Sequence, residues 1–320
     1  MVNTRAYCDG KLIKENFPVA EVSDFLDMPG AVVWVDYCKP CAEDMEELQA
    51  ELGFHELAIE DALGGHQRPK LDHYPNHQFL VSYAVSIESG HLEAIEVDAF
   101  IHERWLVTVR KDEGFELEPL LARWDRSTDL ARHGVGFLVY GLLDIVIDEA
   151  FTTLDAFDQY YDDASESVFS EETPIRPTQQ WFDMRKALIK FHRLVVPTRE
   201  AVSALMRRDH GLVDEDLYPY YQDVYDHILR VTEATDALRD LVSTIVETNL
   251  SLRDFRTNQI MKKVTSWAAI IAVPTLITGW YGMNVPYPGF ARHWGVTAAT
   301  LLIIGCAGAL YAVFKKNDWL

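Results

Sequence analysis

Two stretches near the C-terminal end hold no formally charged residue: 264–283, twenty residues long, and 294–314, twenty-one. About 20 helical residues cross a hydrocarbon core of about 30 Å. No upstream segment is as long and as apolar, so the pattern predicts a membrane hairpin, with spans at 264–283 and 294–314. Lys262 and Lys263 precede the first span and Lys315 and Lys316 follow the second, while the loop between carries only Arg292. The bias of basic residues toward the inner side predicts both termini in the cytoplasm. Trp280, Tyr281, Tyr287 and Trp294 fall where an outer aromatic belt is expected, and Trp319 suits the inner one.

Between Pro219 and Pro274 lie fifty-four residues without proline or glycine. As one helix they would reach roughly 80 Å. Val224, Val231, Leu238, Ile245 and Leu252 recur every seven, and Ile228, Thr235, Val242 and Asn249 form a second seam. This heptad pattern predicts a stalk over 213–263 that enters the first span without a break. Its plainer reading is a coiled-coil stem that only anchors a domain. Within the first span, Ala268, Ala272, Thr275, Gly279 and Gly282 form a stripe of small residues. Close helix packing and a pore lined by small residues both fit it. Two helices cannot enclose a pore, so conduction would require an oligomer.

Further upstream, 136–170 reads as a long helix with an acidic second half: Asp148, Glu149, Asp155, Asp158, Asp162, Asp163 and Glu166. A turn over 171–177 leads to a basic helix at 178–210, with Arg185, Lys186, Lys190, Arg193, Arg199, Arg207 and Arg208. Charge pairing between the two limbs is the expectation. Pro197 should kink the second limb or sit near its end. In the N-terminal half, 31–37, 78–87, 93–101 and 105–109 read as strands, and 42–52 and 117–124 as helices. The expected organisation is an α/β domain at 1–134, a helical hairpin at 135–212, the stalk, and a membrane hairpin at 264–320.

Composition narrows the function classes. The net charge is −21, which argues against nucleic acid or anionic lipid as the main partner. The first thirty residues lack an apolar run, so no secretory signal is expected and the bulk of the chain should stay in the cytosol. The four cysteines are too few for a disulfide framework. Cys38-Lys39-Pro40-Cys41, between a strand and a helix, has the context of a redox motif, and a membrane-anchored redox or binding module is one reading. His66, His73, His77, His91 and His102 lack metal-ligand spacing. No nucleophile, base and oxyanion constellation is visible, so an enzyme is not expected.

Tyr281-Gly282-Met283-Asn284 after the first span, a short loop, a final span and a Lys-Lys…Trp-Leu tail together resemble the CorA family of magnesium transporters. Ile59-Glu60-Asp61 followed by His66-Gln67-Arg68-Pro69-Lys70, Asp223-Val224-Tyr225-Asp226-His227, and Asn258-Gln259-Ile260-Met261 resemble further motifs of that family, in the same order. The resemblance implies a cytosolic α+β domain, a long stalk and two membrane helices, assembled as a funnel-shaped homopentamer in the cell membrane. It places Asn284 at the outer mouth with Gly282 and Met283. Asn258, Met261, Val264, Ala272, Thr275 and Gly279 fall at pore positions. Where the family often has a larger apolar side chain this sequence has Ala272, which shifts the expected gate toward Met261 and Val264. Capping of the first span is the alternative role for Asn284.

The implied cargo is Mg²⁺, entering passively, with Co²⁺, Ni²⁺ or Zn²⁺ as alternatives. A regulatory Mg²⁺ is implied between subunits at Asp61 and Asp223, with Glu60, Asp144 and His227 as supporting candidates. The sequence departs from the family in its outer loop: 285–293 contains no acid and one arginine, so electrostatic capture of cations there lacks its usual basis.

Overall fold

The computed structural model describes residues 2–169, 179–207 and 211–320. These fall into two compact units, Met1–Ser243 and Thr244–Leu320.

The first unit is built on a seven-stranded sheet in the order β2-β1-β3-β7-β6-β5-β4. The strands are β1 (Val2–Cys8), β2 (Lys11–Glu15), β3 (Ala31–Cys38), β4 (Lys70–His73), β5 (Gln78–Glu88), β6 (His91–Ile101) and β7 (Trp105–Arg110). Only the central β3–β7 pair is parallel. Both of its strands are almost wholly buried, as a strand covered on two faces must be. Trp34 of β3 meets Trp124 edge-on at 5.0 Å, from α4 (Glu118–Arg126). Tyr37, one pleat away on the other face, lies near Asp44 and Glu47 of α2 (Ala42–Leu52). Successive side chains of a strand point to opposite faces, so the sheet carries helices on both.

The buried face toward α4 is held by a polar network. Arg110 donates to Asp36 through Nη2 (2.8 Å) and Nε (3.1 Å), and Thr108 donates to Asp36 at 2.8 Å. Trp34 Nε1 donates to Thr108 (3.1 Å), and Arg110 Nη1 to the Phe115 carbonyl (2.9 Å). Asp36 is 0% exposed and Arg110 6%, so each charge depends on the other for compensation.

The expected strands and helices of the N-terminal half are present, most shifted by one or two residues. The short elements β1, β2, β4, α1 (Val22–Leu26), α3 (Glu56–Gly64) and α5 (Thr128–Ala131) lie outside those expectations. β1 reads Val-Asn-Thr-Arg-Ala-Tyr-Cys, too polar for a hydrophobic pattern. Its register forms because Arg5 reaches Glu15 (3.2 Å) and Asp125 (2.9 Å) while Ala6 turns into the core.

Two long helices cover the sheet, α6 (Val135–Phe169) and α7 (Gln179–Leu205). β4 pairs with β5 only as far as Val81, so the outer edge of β5 continues unpaired. There α6 supplies the missing partners: Thr153 donates to the Val85 carbonyl (2.9 Å), and Glu149 accepts the Val85 N–H. Burial lifts the Glu149 carboxyl to about 7.

The expected charge pairing between the two limbs is not found among the described side chains, which leave out Glu166 and Arg208. Among the described residues no ion pair joins α6 to α7. The helices meet instead through apolar faces, with Phe157 and Phe191 at 5.5 Å, and burying hydrocarbon outweighs pairing exposed charges. The turn expected over 171–177 lies outside the described residues, as do Thr178, Arg208 and His210. Pro197 sits inside α7, which runs on to Leu205.

α8 (Tyr218–Tyr281) is a single helix of 64 residues that contributes to both units. Pro219 is in its first turn, where a missing N–H costs nothing, and Pro274 lies in its interior. The heptad seams are real but serve a different purpose in their upper part. Val224, Ile228, Val231, Thr235, Leu238 and Val242 are buried within the first unit, and Ile228 borders one small gap with Val146 and Ile147 of α6 and Leu194 and Val195 of α7. The polar interruptions Thr232 and Thr235 are accommodated because their hydroxyls bond the carbonyls of Ile228 (2.8 Å) and Val231 (2.6 Å).

The second unit contains the end of α8 and α9 (His293–Lys316), each apolar enough to cross a bilayer.

Candidate ion pathway and metal-sensing carboxylates

The two helices of the second unit show reciprocal partly covered stripes. On α8 the less exposed positions include Ser266, Ile270, Val273, Ile277 and Tyr281, and on α9 Gly295, Ala299, Ile303, Cys306, Leu310 and Phe314. Both sets recur every three or four residues, as helices packed side by side require. Ala268, Ala272, Thr275, Gly279 and Gly282 are all exposed. At about 100° per residue the mean direction of that stripe lies roughly 180° from the covered one. Met261 and Val264, 59% and 60% exposed, continue the bare face inward, and Asn258 is exposed near it. The small residues are therefore not what packs this hairpin together.

The expected first span ends earlier as a helix. α8 stops at Tyr281, and Gly282, Met283 and Asn284 form a turn in which Gly282 N–H donates to Thr278 O (2.9 Å) and Met283 N–H to Trp280 O (3.3 Å). The capping alternative for Asn284 is not what the structure shows. Its backbone is not left-handed, its side chain makes no hydrogen bond among the described residues, and it is exposed. A cleft of about 540 Å³ opens behind the turn, lined in part by Tyr281, Gly282, Tyr287, Arg292, His293 and Val296.

The carboxylates suggested for metal sensing are spread over the first unit. Glu60 and Asp61 lie on α3, whose first turn is capped by His55 Nδ1 accepting from Leu57 N–H at 3.2 Å. Glu60 is exposed. Asp61 is engaged: Lys70 Nζ lies 2.7 Å from it and 2.6 Å from Asp72. Burial works against the Lys70 ammonium, but these two carboxylates hold its pKa above the ordinary lysine value.

Asp144 is buried in α6 and paired with Arg123 of α4. Asp223 is exposed at the start of α8, with His227 Nε2 at 3.7 Å, and the His227 ring stands edge-on to Phe151 at 5.5 Å. The Tyr140 hydroxyl feels both Arg123 and Asp223. Asp144 and Asp223 thus share one neighbourhood, and Asp61 with Lys70 and Asp72 another. Among the described residues no three histidine, cysteine or acidic side chains gather as a metal site within one chain.

Sequence reasoning passed over the buried acids that hold the α3–β4 loop. Glu96 is 3% exposed and Asp98 fully buried. Glu96 accepts from His66 N–H, and the Tyr83 hydroxyl sits between Glu96 (2.8 Å) and the Gln67 carbonyl. Lys111 approaches Asp98 at 3.2 Å, and burial pushes the Asp98 carboxyl upward against that pull. Two acids at an i, i+2 spacing, Glu96 and Asp98, on one face of a strand whose C-terminal half is otherwise apolar were the available signal.

Cys38 is buried and Cys41 exposed, and no disulfide joins them. Cys41 opens α2, where its N–H donates to Asp44 (2.8 Å), and hydrogen bonding with Asp44 pushes its thiol pKa up. A reactive thiol needs the opposite shift.

The described residues thus hold a mixed α/β unit and two helices long and apolar enough to cross a bilayer. A family model described as "CorA-like Mg2+ transporter protein" matches residues 29–316, and the chain belongs to that family of divalent metal ion transporters. The chain is 31% identical to YfjQ of Bacillus subtilis, covering 100% of this chain and 98% of that one. It is 30% identical to the cobalt/magnesium transport protein CorA of Thermotoga maritima, over 84% of this chain and 77% of that one. Its fold matches the complete structure of the CorA magnesium transporter of Methanocaldococcus jannaschii with a TM-score of 0.76, covering 99% and 98% of the two chains at 20% identity. Zinc transport proteins named ZntB are more distant relatives, at 21–22% identity.

Proposed function

We propose that this chain is the subunit of a homopentameric Mg²⁺ channel, with both termini in the cytosol, passing the ion down its electrochemical gradient. The observation that carries this reading is the exposed small-residue stripe of α8, opposite that helix's partly covered stripe. Several copies brought together on that stripe enclose a narrow pore, with Met261 and Val264 on its inner, apolar section. Mg²⁺ gives up water reluctantly and prefers six oxygens. A ring of Asn284 amide oxygens can hold its hydration shell without burying a charge, and an apolar ring can gate by dewetting. An inside-negative potential supplies about 4.6 kcal/mol per 100 mV for a divalent ion.

Zinc is the second reading, supported by the ZntB relatives. It is disfavoured by a pore face offering oxygen and, at Met261 and Met283, only thioether sulfur, since zinc prefers nitrogen and thiolate ligands. Proteoliposomes holding the full chain should take up Mg²⁺, faster when the lumen is made negative and faster than Zn²⁺. No Mg²⁺ uptake overturns the reading, and faster Zn²⁺ uptake replaces it.

Regulation by cytosolic Mg²⁺ belongs to the same proposal. One chain offers Glu60 and Asp223 as exposed carboxylates, while Asp61 and Asp144 already hold cationic partners. Such a donor set suits a site completed by a second copy: carboxylates facing one another repel, and a divalent ion reverses the sign. Bound Mg²⁺ then favours the closed assembly. At Asp61 the ion must displace Lys70. Lys70→Met should lower the Mg²⁺ concentration that half-protects the protein from proteolysis by three- to tenfold. An unchanged midpoint would show that Asp61 is not a ligand.

A further inference from the structure

The turn that carries Asn284 is closed at its neck by one side chain. Tyr287 donates its hydroxyl to the carbonyl of Tyr281, the last residue of α8, at 2.9 Å. Helix-end carbonyls lack intrahelical partners, so this bond satisfies a group that would otherwise turn to water. The Tyr287 ring is wedged edge-on between Tyr281 (5.0 Å) and Phe290 (5.3 Å). Asn284 stands midway between the two bonded residues, three positions from each.

The far side of the loop is also pinned. Gly289 has φ +94°, and a Cβ on Gly295 would collide with the Gly289 carbonyl oxygen. That approach admits only glycine at the start of α9. The five residues between Tyr281 and Tyr287, Pro286 among them, are thereby held between a helix end and a fixed base. Their own side chains supply no bond that would do this, since Asn284 makes none among the described residues.

We infer that Tyr287 is the positioning residue of the outer mouth: its hydroxyl fixes the turn so that Asn284 presents its amide to the hydrated ion. The inference rests on the reading that Asn284 forms that mouth. Holding the amide in place beforehand strengthens ion capture, because less freedom is lost on binding. It does not change the barrier further in. Loss of the hydroxyl should therefore weaken apparent affinity and leave the maximal rate alone. The loop lacks acids, so geometry takes a larger share of capture here than net charge can.

The test is Mg²⁺ uptake against Mg²⁺ concentration in proteoliposomes of the full chain, comparing wild type, Tyr287→Phe and Asn284→Ala. Tyr287→Phe keeps the ring and both edge-on contacts and removes only the hydroxyl. It should raise the half-saturating Mg²⁺ concentration three- to tenfold, with the maximal rate within twofold of wild type. A half-saturation within twofold of wild type, or a fall in maximal rate alone, overturns the inference. The Asn284→Ala arm separates the two levels. Reduced uptake there with an unaffected Tyr287→Phe sinks only the positioning role, whereas wild-type uptake in Asn284→Ala sinks the mouth and the inference with it.

Discussion

Proteoliposomes carrying Asn284→Ala should take up Mg²⁺ at least tenfold more slowly than wild type at sub-saturating concentration. The amide is exposed and makes no hydrogen bond among the described residues, so its removal costs the fold little. On the proposed reading its value lies in what it offers a passing ion. A hydrogen bond to a charged species contributes about 1.5–3 kcal/mol, and 1.4 kcal/mol is a factor of ten, so the equivalent of one lost bond suffices. In a symmetric assembly every copy loses its amide at once. Thermal stability and the amount of protein in the membrane should match wild type, which separates this outcome from misfolding. Uptake within twofold of wild type would remove Asn284 from the pathway. Asn284→Asp offers a contrast. A ring of carboxylates should raise apparent affinity for divalent ions and make uptake more sensitive to salt.

The second large effect concerns the fold. Asp36→Ala should destabilise the first unit by about 3–5 kcal/mol, because it leaves the Arg110 guanidinium buried beside an empty site. Thr108 and, through it, Trp34 lose an ordered partner in the same step. In a unit of this size the loss corresponds to roughly 10 °C or more in Tm, read from the thermal unfolding of detergent-solubilised protein. The pair Asp36→Leu with Arg110→Met should recover most of the loss, since replacing both charges leaves neither unpaired. A single-variant shift under 2 °C would mean that water or another group compensates Arg110.

These two sites differ in how visible they were. Asn284 could be picked out because Tyr281-Gly282-Met283-Asn284 follows an uncharged run of membrane length. Asp36 could not: it stands in Ala-Val-Val-Trp-Val-Asp-Tyr as one acid near the end of a strand, and its partner is 74 residues away. The same gap separates the two levels at Asp61. The sequence marks it within Ile59-Glu60-Asp61, and the Arg68-Pro69-Lys70 segment also stands out. Only the return of β4 alongside α3 brings Lys70 to within 2.7 Å and makes the lysine a rival of any cation. The acidic and basic limbs show the reverse error. Complementary composition suggested ion pairing, but the described faces of the two helices meet through phenylalanines, and limb charges such as Glu149 and Lys190 turn to the sheet instead.

What the sequence determined by itself was set by one-dimensional constraints. A bilayer demands a minimum run of apolar residues and reads the charge at each end, so the hairpin and its expected orientation follow from counting. A long helix needs only the absence of proline and glycine and a steady period; 220–273 meets the first and Val224 to Leu252 the second. Tertiary structure decided which face of each helix is covered and which charges meet. Heptad positions from Val224 to Val242 could have met another chain, yet they are buried in the first unit, where Ile228 borders a gap shared with α6 and α7. The small stripe of α8 could have closed the hairpin, yet it is left bare because Ser266, Ile270, Val273, Ile277 and Tyr281 take the covered side. Periodicity specifies that a face exists; only the volume and polarity of everything else in the fold determine what that face is pressed against.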